Sequence, residues 1–466
     1  MNYSSKIAEA LNLSPRQVEK TIELLEGGAT VPFIARYRKE ATGSLNEVQI
    51  AAIRDMLIKC KELDKRRDSI IQSIEEQGKL TPELKKQLLS AETITELEDL
   101  YLPYKPKRKT RASIAIEKGL EPLANSIMLQ QNINLDSLAN KYVNEEKGVA
   151  NSNEALAGAR DIIAERINED ATARNRMRAL YKRTALLTAK VAKGKEEEGE
   201  KYSSWFDWEE DMMKAPSHRI LAMFRGENEG FLKVKIQPED DNKAIAQLER
   251  QFIWGYNDSS EQMKLAVKDC YKRLLSPSMQ TEFYNILKER ADAEAIKVFA
   301  ENLRQLLLAS PLGQKRVLAI DPGFRTGCKV VCLDAQGNLI HNETIYPFTS
   351  VREEHDSVKK LESLVEAFKI EAIAIGNGTA GRETEEIVKR ARFKTKVIAV
   401  MVSENGASVY SASDIARQEF PDYDVTVRGA VSIGRRLMDP LSELVKIDPK
   451  SIGVGQYQHD VNQSML

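Results

Sequence analysis

Cysteine is scarce: Cys60, Cys270, Cys328 and Cys332 are all that 466 residues contain. Four are too few for a disulfide framework, and without a CxxC pair they offer no zinc-ribbon spacing. Cys328 and Cys332 lie four apart in an apolar run, so they share one strand face and fill core. Long apolar runs are also missing, with nothing near the ~18 to 20 residues of a membrane span. The start, Met1-Asn2-Tyr3-Ser4-Ser5-Lys6, lacks the apolar heart of a secretory signal. These absences lead us to expect a cytoplasmic chain with no membrane partner. Net charge is missing too, since 69 Lys and Arg face 70 Asp and Glu for a total of −1. No global basicity announces nucleic acid, so any charge that carries function acts locally. What is present is ample: 42% hydrophobic and 30% charged residues, enough for cores in about three domains at roughly 150 residues each.

The first three hundred residues are patterned as helix. Ser14-Pro15-Arg16-Gln17 combines a capping Ser, a first-turn Pro and a Gln three residues on, and Gly27-Gly28 stops the helix that follows. Ser44-Leu45-Asn46-Glu47 suggests a second capping box opening a long amphipathic helix towards Gln77. Glu154 to Lys190 carries a third helical pattern, with Leu156, Ala159, Ile163 and Ile167 on one stripe. Trp205 and Trp208, three apart, fit the core of a helix. Phe231 to Ile236 is a short extended interruption, after which helical patterns resume from Lys243 to Leu308. Near residue 310 the period changes. Val317–Ile320, Lys329–Leu333 and Leu339–Ile345 form a three-strand meander. Two helix–strand units follow, giving the order βββαβαβα and a mixed sheet covered by helices.

Three strand ends offer chemistry. Asp321-Pro322-Gly323-Phe324-Arg325-Thr326-Gly327 closes the first strand with a carboxylate, suited to a metal or simply to a tight turn. Gly376-Asn377-Gly378-Thr379-Ala380-Gly381 spells a dinucleotide fingerprint, but it follows the fourth strand and lacks an acid at the usual spacing of ~20 residues. Nicotinamide cofactors are therefore not expected. Ser403-Glu404-Asn405-Gly406 follows the fifth strand. In a sheet ordered 3-2-1-4-5, Asp321, Asn377 and Glu404 converge. Two-metal phosphodiester hydrolysis needs several carboxylates, and this cleft offers two. Asp422 and Asp424 stand just upstream of Arg428. His218, His341, His355 and His459 are scattered and show no metal spacing. Two basic segments remain. Tyr101-Leu102-Pro103-Tyr104-Lys105-Pro106-Lys107-Arg108-Lys109-Thr110-Arg111 cannot be regular helix, and its cations suit phosphates as well as neighbouring acids. Pro32-Phe33-Ile34-Ala35-Arg36-Tyr37-Arg38-Lys39 is basic and aromatic, although Phe33, Ile34 and Tyr37 fit a core stripe.

The run Gly27 to Lys39 resembles the N-terminal signature of the bacterial Tex family of transcription accessory proteins. Leu97 to Arg108, Asp321 to Gly327, and Arg428-Gly429-Ala430-Val431-Ser432-Ile433-Gly434-Arg435-Arg436-Leu437 match as well. The resemblance implies a multidomain, mainly α chain: a helical N-terminal region with a helix-turn-helix-like part, then an α/β ribonuclease H-like (YqgF) domain with a mixed sheet. We accordingly expect a helical region over 1–200, a central helical region over 201–310, the YqgF domain over 311–440, and the start of a further helical region over 441–466. The family normally continues into helix-hairpin-helix modules and an OB-fold, so the chain is expected to be C-terminally truncated.

By the same resemblance, Asp321 matches the first-strand acid of YqgF and Holliday-junction resolvase domains, and Glu404 the acid after the fifth strand. The fourth-strand acid falls near Asn377 and the last-helix acid near Arg428, so the catalytic set is incomplete. The expected function is a non-enzymatic scaffold for RNA or DNA in transcription, with transcription machinery as a further partner. Arg36, Arg38, Lys39, Lys105, Lys107, Arg108, Lys109 and Arg111 are the candidate nucleic-acid contacts. No cofactor is expected, and Mg²⁺ enters only under the alternative, a metal-dependent nuclease or resolvase using Asp321 and Glu404. An actin-like phosphotransferase is a third reading, without a second half-domain to support it.

Overall fold

The computed structural model describes residues 3–106 and 109–466. The chain divides into two compact units, one running to Leu186 and including Ile236–Glu282, the other comprising Leu187–Lys235 and Phe283–Leu466.

The first unit is helical, and local sequence accounts for its boundaries. Thr81, Thr93, Thr110 and Asn134 each accept a hydrogen bond from the first turn of the helix they open, which satisfies amides that lack intrahelical partners. Helix Pro15–Glu26 starts at Ser14, whose amide donates to Gln17 Oε1 at 3.3 Å. The long helix Glu47–Glu76 opens two residues later than expected, because Asn46 rather than Ser44 forms the reciprocal box with Gln49. Ser44 instead takes a left-handed backbone, φ 64°. Ile7, Val18, Ile34, Ile50, Ile53 and Leu57 form one core here. Leu63, Ile70, Ile74, Leu88, Leu97 and Tyr101 form the next.

The expected helix Glu154–Lys190 is three elements. Ser152–Glu169 ends at Asp170, whose carboxylate caps helix Ala171–Thr184 by accepting from the Ala173 amide at 2.7 Å. Ala185–Val191 is then a strand. Its Ala, Leu and Lys residues are good helix formers, so burial on a sheet overrides propensity. With Asp207–Asp211 and Leu232–Pro238 it makes a three-stranded sheet, Ala185–Val191 in the middle. Trp205 and Trp208 share no helix: Trp205 ends a 3₁₀ turn and Trp208 lies in the strand Asp207–Asp211. Both are half-buried rather than core.

In the second unit the expected meander and crossovers are present. Strands β1 (Val317–Asp321), β2 (Cys328–Leu333), β3 (Leu339–Ile345), β4 (Ala372–Gly376) and β5 (Ile398–Val402) form a sheet ordered β3-β2-β1-β4-β5. β1 pairs antiparallel with β2 and parallel with β4, and β4 pairs parallel with β5. Helices α1 (Val351–Phe368) and α2 (Gly381–Arg390) provide the crossovers. Leu361, Leu364 and Ile387 pack with Leu318, Ile320, Cys328 and Cys332 on one sheet face. Helices α3 (Ala407–Ala412) and α4 (Val425–Met438) follow β5. Ala430, Val431 and Ile433 of α4 cover Val317, Ala319, Val331 and Ala374 on the other face. The central strands β1 and β4 are buried on both faces and therefore read as continuous apolar runs, whereas the edge strand β5 is largely exposed. No described helix is long and apolar enough to cross a membrane.

Candidate functional site

Parallel pairing of β1, β4 and β5 brings their C-terminal ends side by side, as Ile320↔Ile375 and Gly376↔Val402 record. The residues just beyond, Asp321, Asn377 and Glu404, stand at the topological switch point of the sheet, where α/β folds place their sites. Asp321 and Glu404 line one cavity of about 340 Å³, closed by Ser408, Ser411, Thr426 and Gly429. Asn377 orients the loop: its Oδ1 accepts from the Glu404 amide at 3.1 Å, and its own amide donates to the Val402 carbonyl at 3.0 Å.

The glycines of the apparent fingerprint have a different use. A Cβ on Gly378 would lie 1.6 Å from Glu404 Oε1, and one on Gly376 would lie 2.7 Å from Oε2. The Glu404 carboxylate thus occupies the space that bare glycine leaves over the end of β4, where a fingerprint would seat a pyrophosphate. Burial first, and the Glu404 charge second, push the Asp321 carboxyl up to about 6, with Lys329 pulling the other way. Lys329 is Asp321's register partner on β2.

A third carboxylate does not join the pair. Arg428, near which the resemblance places the last-helix acid, is buried and donates from Nε to the Phe420 carbonyl at 3.0 Å. Asp424 caps α4, accepting from the Thr426 hydroxyl and from the Thr426 and Val427 amides, and these bonds hold its carboxyl below the ordinary range. Among the described residues no three His, Cys, Asp or Glu side chains gather closely enough to hold a metal. Two carboxylates beside an engaged amide do not fit a pair of divalent ions, which need more negative charge to hold them.

Sequence reasoning missed Arg436. It is buried on α4, and its Nη1 donates to the Ser403 and Asn405 carbonyls at 2.9 and 2.7 Å, clamping the loop that carries Glu404. Burial lowers its pKa, while Glu443 and Glu404 oppose that shift. The available signal was a cation inside the apolar stripe of α4.

The basic segments lie in the first unit. Lys105 is exposed, Lys109 pairs with the exposed Glu117 at 3.3 Å, and Arg111 opens helix Arg111–Glu117. Lys107 and Arg108 fall outside the described residues. Of the two tyrosines, Tyr101 is core, its hydroxyl 2.9 Å from Ser73 Oγ, whereas Tyr104 is half-buried. Tyr104, Lys105, Lys109, Glu165, Arg166 and Glu169 help line a cavity of about 460 Å³ of mixed charge. Arg36, Arg38 and Lys39 are exposed. Of the expected core stripe beside them only Ile34 is buried. Phe33 and Tyr37 are 41% and 62% exposed, because one turn of a seven-residue helix turns a single face to the core.

A five-stranded mixed sheet with buried central strands and two acids at its switch point defines a ribonuclease H-like domain. Comparison with known families agrees: the Tex-like protein N-terminal domain matches residues 1–75, the Tex central region-like family 130–299, and the Tex protein YqgF-like domain 315–438. The chain belongs to the Tex family. It is 47% identical over 466 residues to "Uncharacterized protein YdcI" of Bacillus subtilis, covering 99% of this chain and 65% of that protein. It is likewise 47% identical over 478 residues to "Protein tex" of Bordetella pertussis, covering 99% and 60%. The human "S1 RNA-binding domain-containing protein 1" is 34% identical over 479 residues, covering 99% and 48%. The chain therefore spans about two thirds or less of the length of these relatives.

Proposed function

We propose that this chain is a nucleic-acid-binding scaffold of transcription whose ribonuclease H-like domain performs no metal-dependent cleavage. The observation that carries the reading is the cleft itself, with Asp321 and Glu404 present and the buried Arg428 where a further acid would stand. The names of relatives support the rest: one from Neisseria gonorrhoeae is "Transcriptional accessory protein Tex", and the human relative is named for RNA binding. RNA and DNA are both expected partners, bound mainly through phosphates in the cytoplasm, with transcription machinery nearby and no cofactor.

Fluorescence polarisation with labelled RNA and DNA oligonucleotides tests the binding. Affinity should fall steeply between 50 and 200 mM salt, in the manner of phosphate-dominated complexes. No binding at the lower salt overturns the proposal. A competing reading, a nuclease or resolvase using Asp321 and Glu404, draws support from both acids lining one cavity and from an Asp321 pKa of about 6. Mg²⁺- or Mn²⁺-dependent cleavage of branched or hybrid substrates, abolished in Asp321→Asn, would establish that reading over the scaffold.

A further inference from the structure

Exposed aromatic rings lose the burial that normally justifies their size, so a pair held side by side on a surface needs an explanation. Phe33 and Tyr37 are such a pair. Four residues apart on helix Val31–Tyr37, they share a face, with ring centroids 5.5 Å apart and planes inclined at 47°. The helix beneath them is fixed. Thr30 caps it, Pro32 sets its first turn, and fully buried Ile34 anchors it to Ile7, Val18 and Ile50. The rings are therefore presented at low further cost in ordering.

Cations surround the rings. The Arg38 guanidinium lies 5.2 Å from the Phe33 centroid and donates from Nη1 to the Tyr37 carbonyl at 3.2 Å. Arg36 and Lys39 are exposed alongside, next to the exposed Glu40. Among the described residues, Arg36, Arg38 and Lys39 form no ion pair with a carboxylate. Flat rings and unpaired cations within seven residues match a ligand that offers flat bases and phosphates together. In a duplex the base faces are already stacked on one another, so single strands fit best.

We propose that Phe33 and Tyr37, with Arg36, Arg38 and Lys39, form a stacking platform for single-stranded nucleic acid. The inference rests on the proposed nucleic-acid function and adds the substrate class and the site. Base stacking on each ring supplies the sequence-tolerant part of the affinity, and the cations supply the salt-dependent part.

The test uses the whole chain and fluorescein-labelled 12-mers, single-stranded and duplex, titrated by polarisation. The variant F33A/Y37A removes exposed rings, and an unchanged circular dichroism spectrum verifies its fold. It should weaken single-strand binding about tenfold or more, leaving duplex affinity and the salt slope unchanged. The charge variant R36Q/R38Q/K39Q should instead make the single-strand slope shallower by about 2. A 2-aminopurine base in the strand should be quenched by the wild-type chain and not by F33A/Y37A. Unaltered single-strand affinity in F33A/Y37A overturns the platform while the scaffold stands. Equal losses for single strand and duplex also overturn it. A wild-type chain that binds neither oligonucleotide overturns the underlying function.

Discussion

Gly378 has no side chain because Glu404 fills the place where one would be. A methyl group at that position can be accommodated only if the Glu404 carboxylate swings out of the cleft. Gly378→Ala should therefore relieve Asp321 of a nearby negative charge and lower its pKa from about 6 towards the ordinary 3.8. Carboxyl-carbon NMR titration of Asp321 measures this directly, and an unmoved midpoint contradicts it. The same carboxyl links stability to pH. The folded chain keeps the Asp321 proton up to about pH 6, whereas the unfolded chain releases it near 3.8. The folded state thus binds more protons across that window, and this group's contribution makes stability fall as pH rises through it. Asp321→Asn removes the penalty. Relative to wild type, its denaturation free energy should improve by on the order of 2 kcal/mol between pH 4 and pH 7. A constant difference across that range refutes the burial argument.

Elements are held by charges as much as by apolar faces. Asp99, on helix Ile94–Tyr101, is nearly fully buried and accepts from Arg174 Nε at 2.7 Å and from Arg178 Nη1 and Nη2 at 2.5 and 2.8 Å. Arg178 also donates to Glu282 at 2.5 Å. Burial works against the Arg178 charge, but its bonds to Asp99 and Glu282 outweigh that and raise its pKa. Removing one member of a buried ionic network leaves the others desolvated and unpaired. Asp99→Ala should cost about 3–5 kcal/mol in urea denaturation, far more than losing the exposed Lys109–Glu117 pair. Gln130 plays a comparable part without charge. Its Oε1 accepts from the Trp254 and Gly255 amides at 3.1 and 3.2 Å, and its Nε2 donates to the Phe252 carbonyl at 2.7 Å. Gln130→Ala orphans these partly buried groups and should destabilise by about 1–3 kcal/mol in the same measurement. Neither role was legible locally. Asp99 stands in an unremarkable helical run, and its partners lie 75 and 79 residues away.

For the whole molecule, the near-neutral total of 69 against 70 charges limits how strongly it can hold nucleic acid. Single-strand binding releases about 0.7 counterion per neutralised phosphate. Even with all eight candidate cations engaged, the slope of log affinity against log salt should stay shallower than about −6. A steeper slope means that cations other than these contribute.

Much of this architecture follows from local sequence. The cap at Ser14, the apolar runs of β1 and β4, the crossover order and the acids at two strand ends are encoded within a few residues of where they act. So is the Tex resemblance, carried by contiguous blocks such as Gly27–Lys39. Other features depend on which surface meets which. Whether Phe33 faces core or water turns on the neighbours of a seven-residue helix, and periodicity states a face without stating what covers it. Ala185–Val191 became a strand because a sheet was there to pair with it. Arg428 and Arg436 turn inward to bind carbonyls, a long-range choice driven by the need to satisfy buried polar groups. Sequence alone determined the strands and crossovers of the five-stranded sheet, their order and the family. Tertiary packing decided which charges and rings remained for a partner, because burial depends on contacts between distant segments.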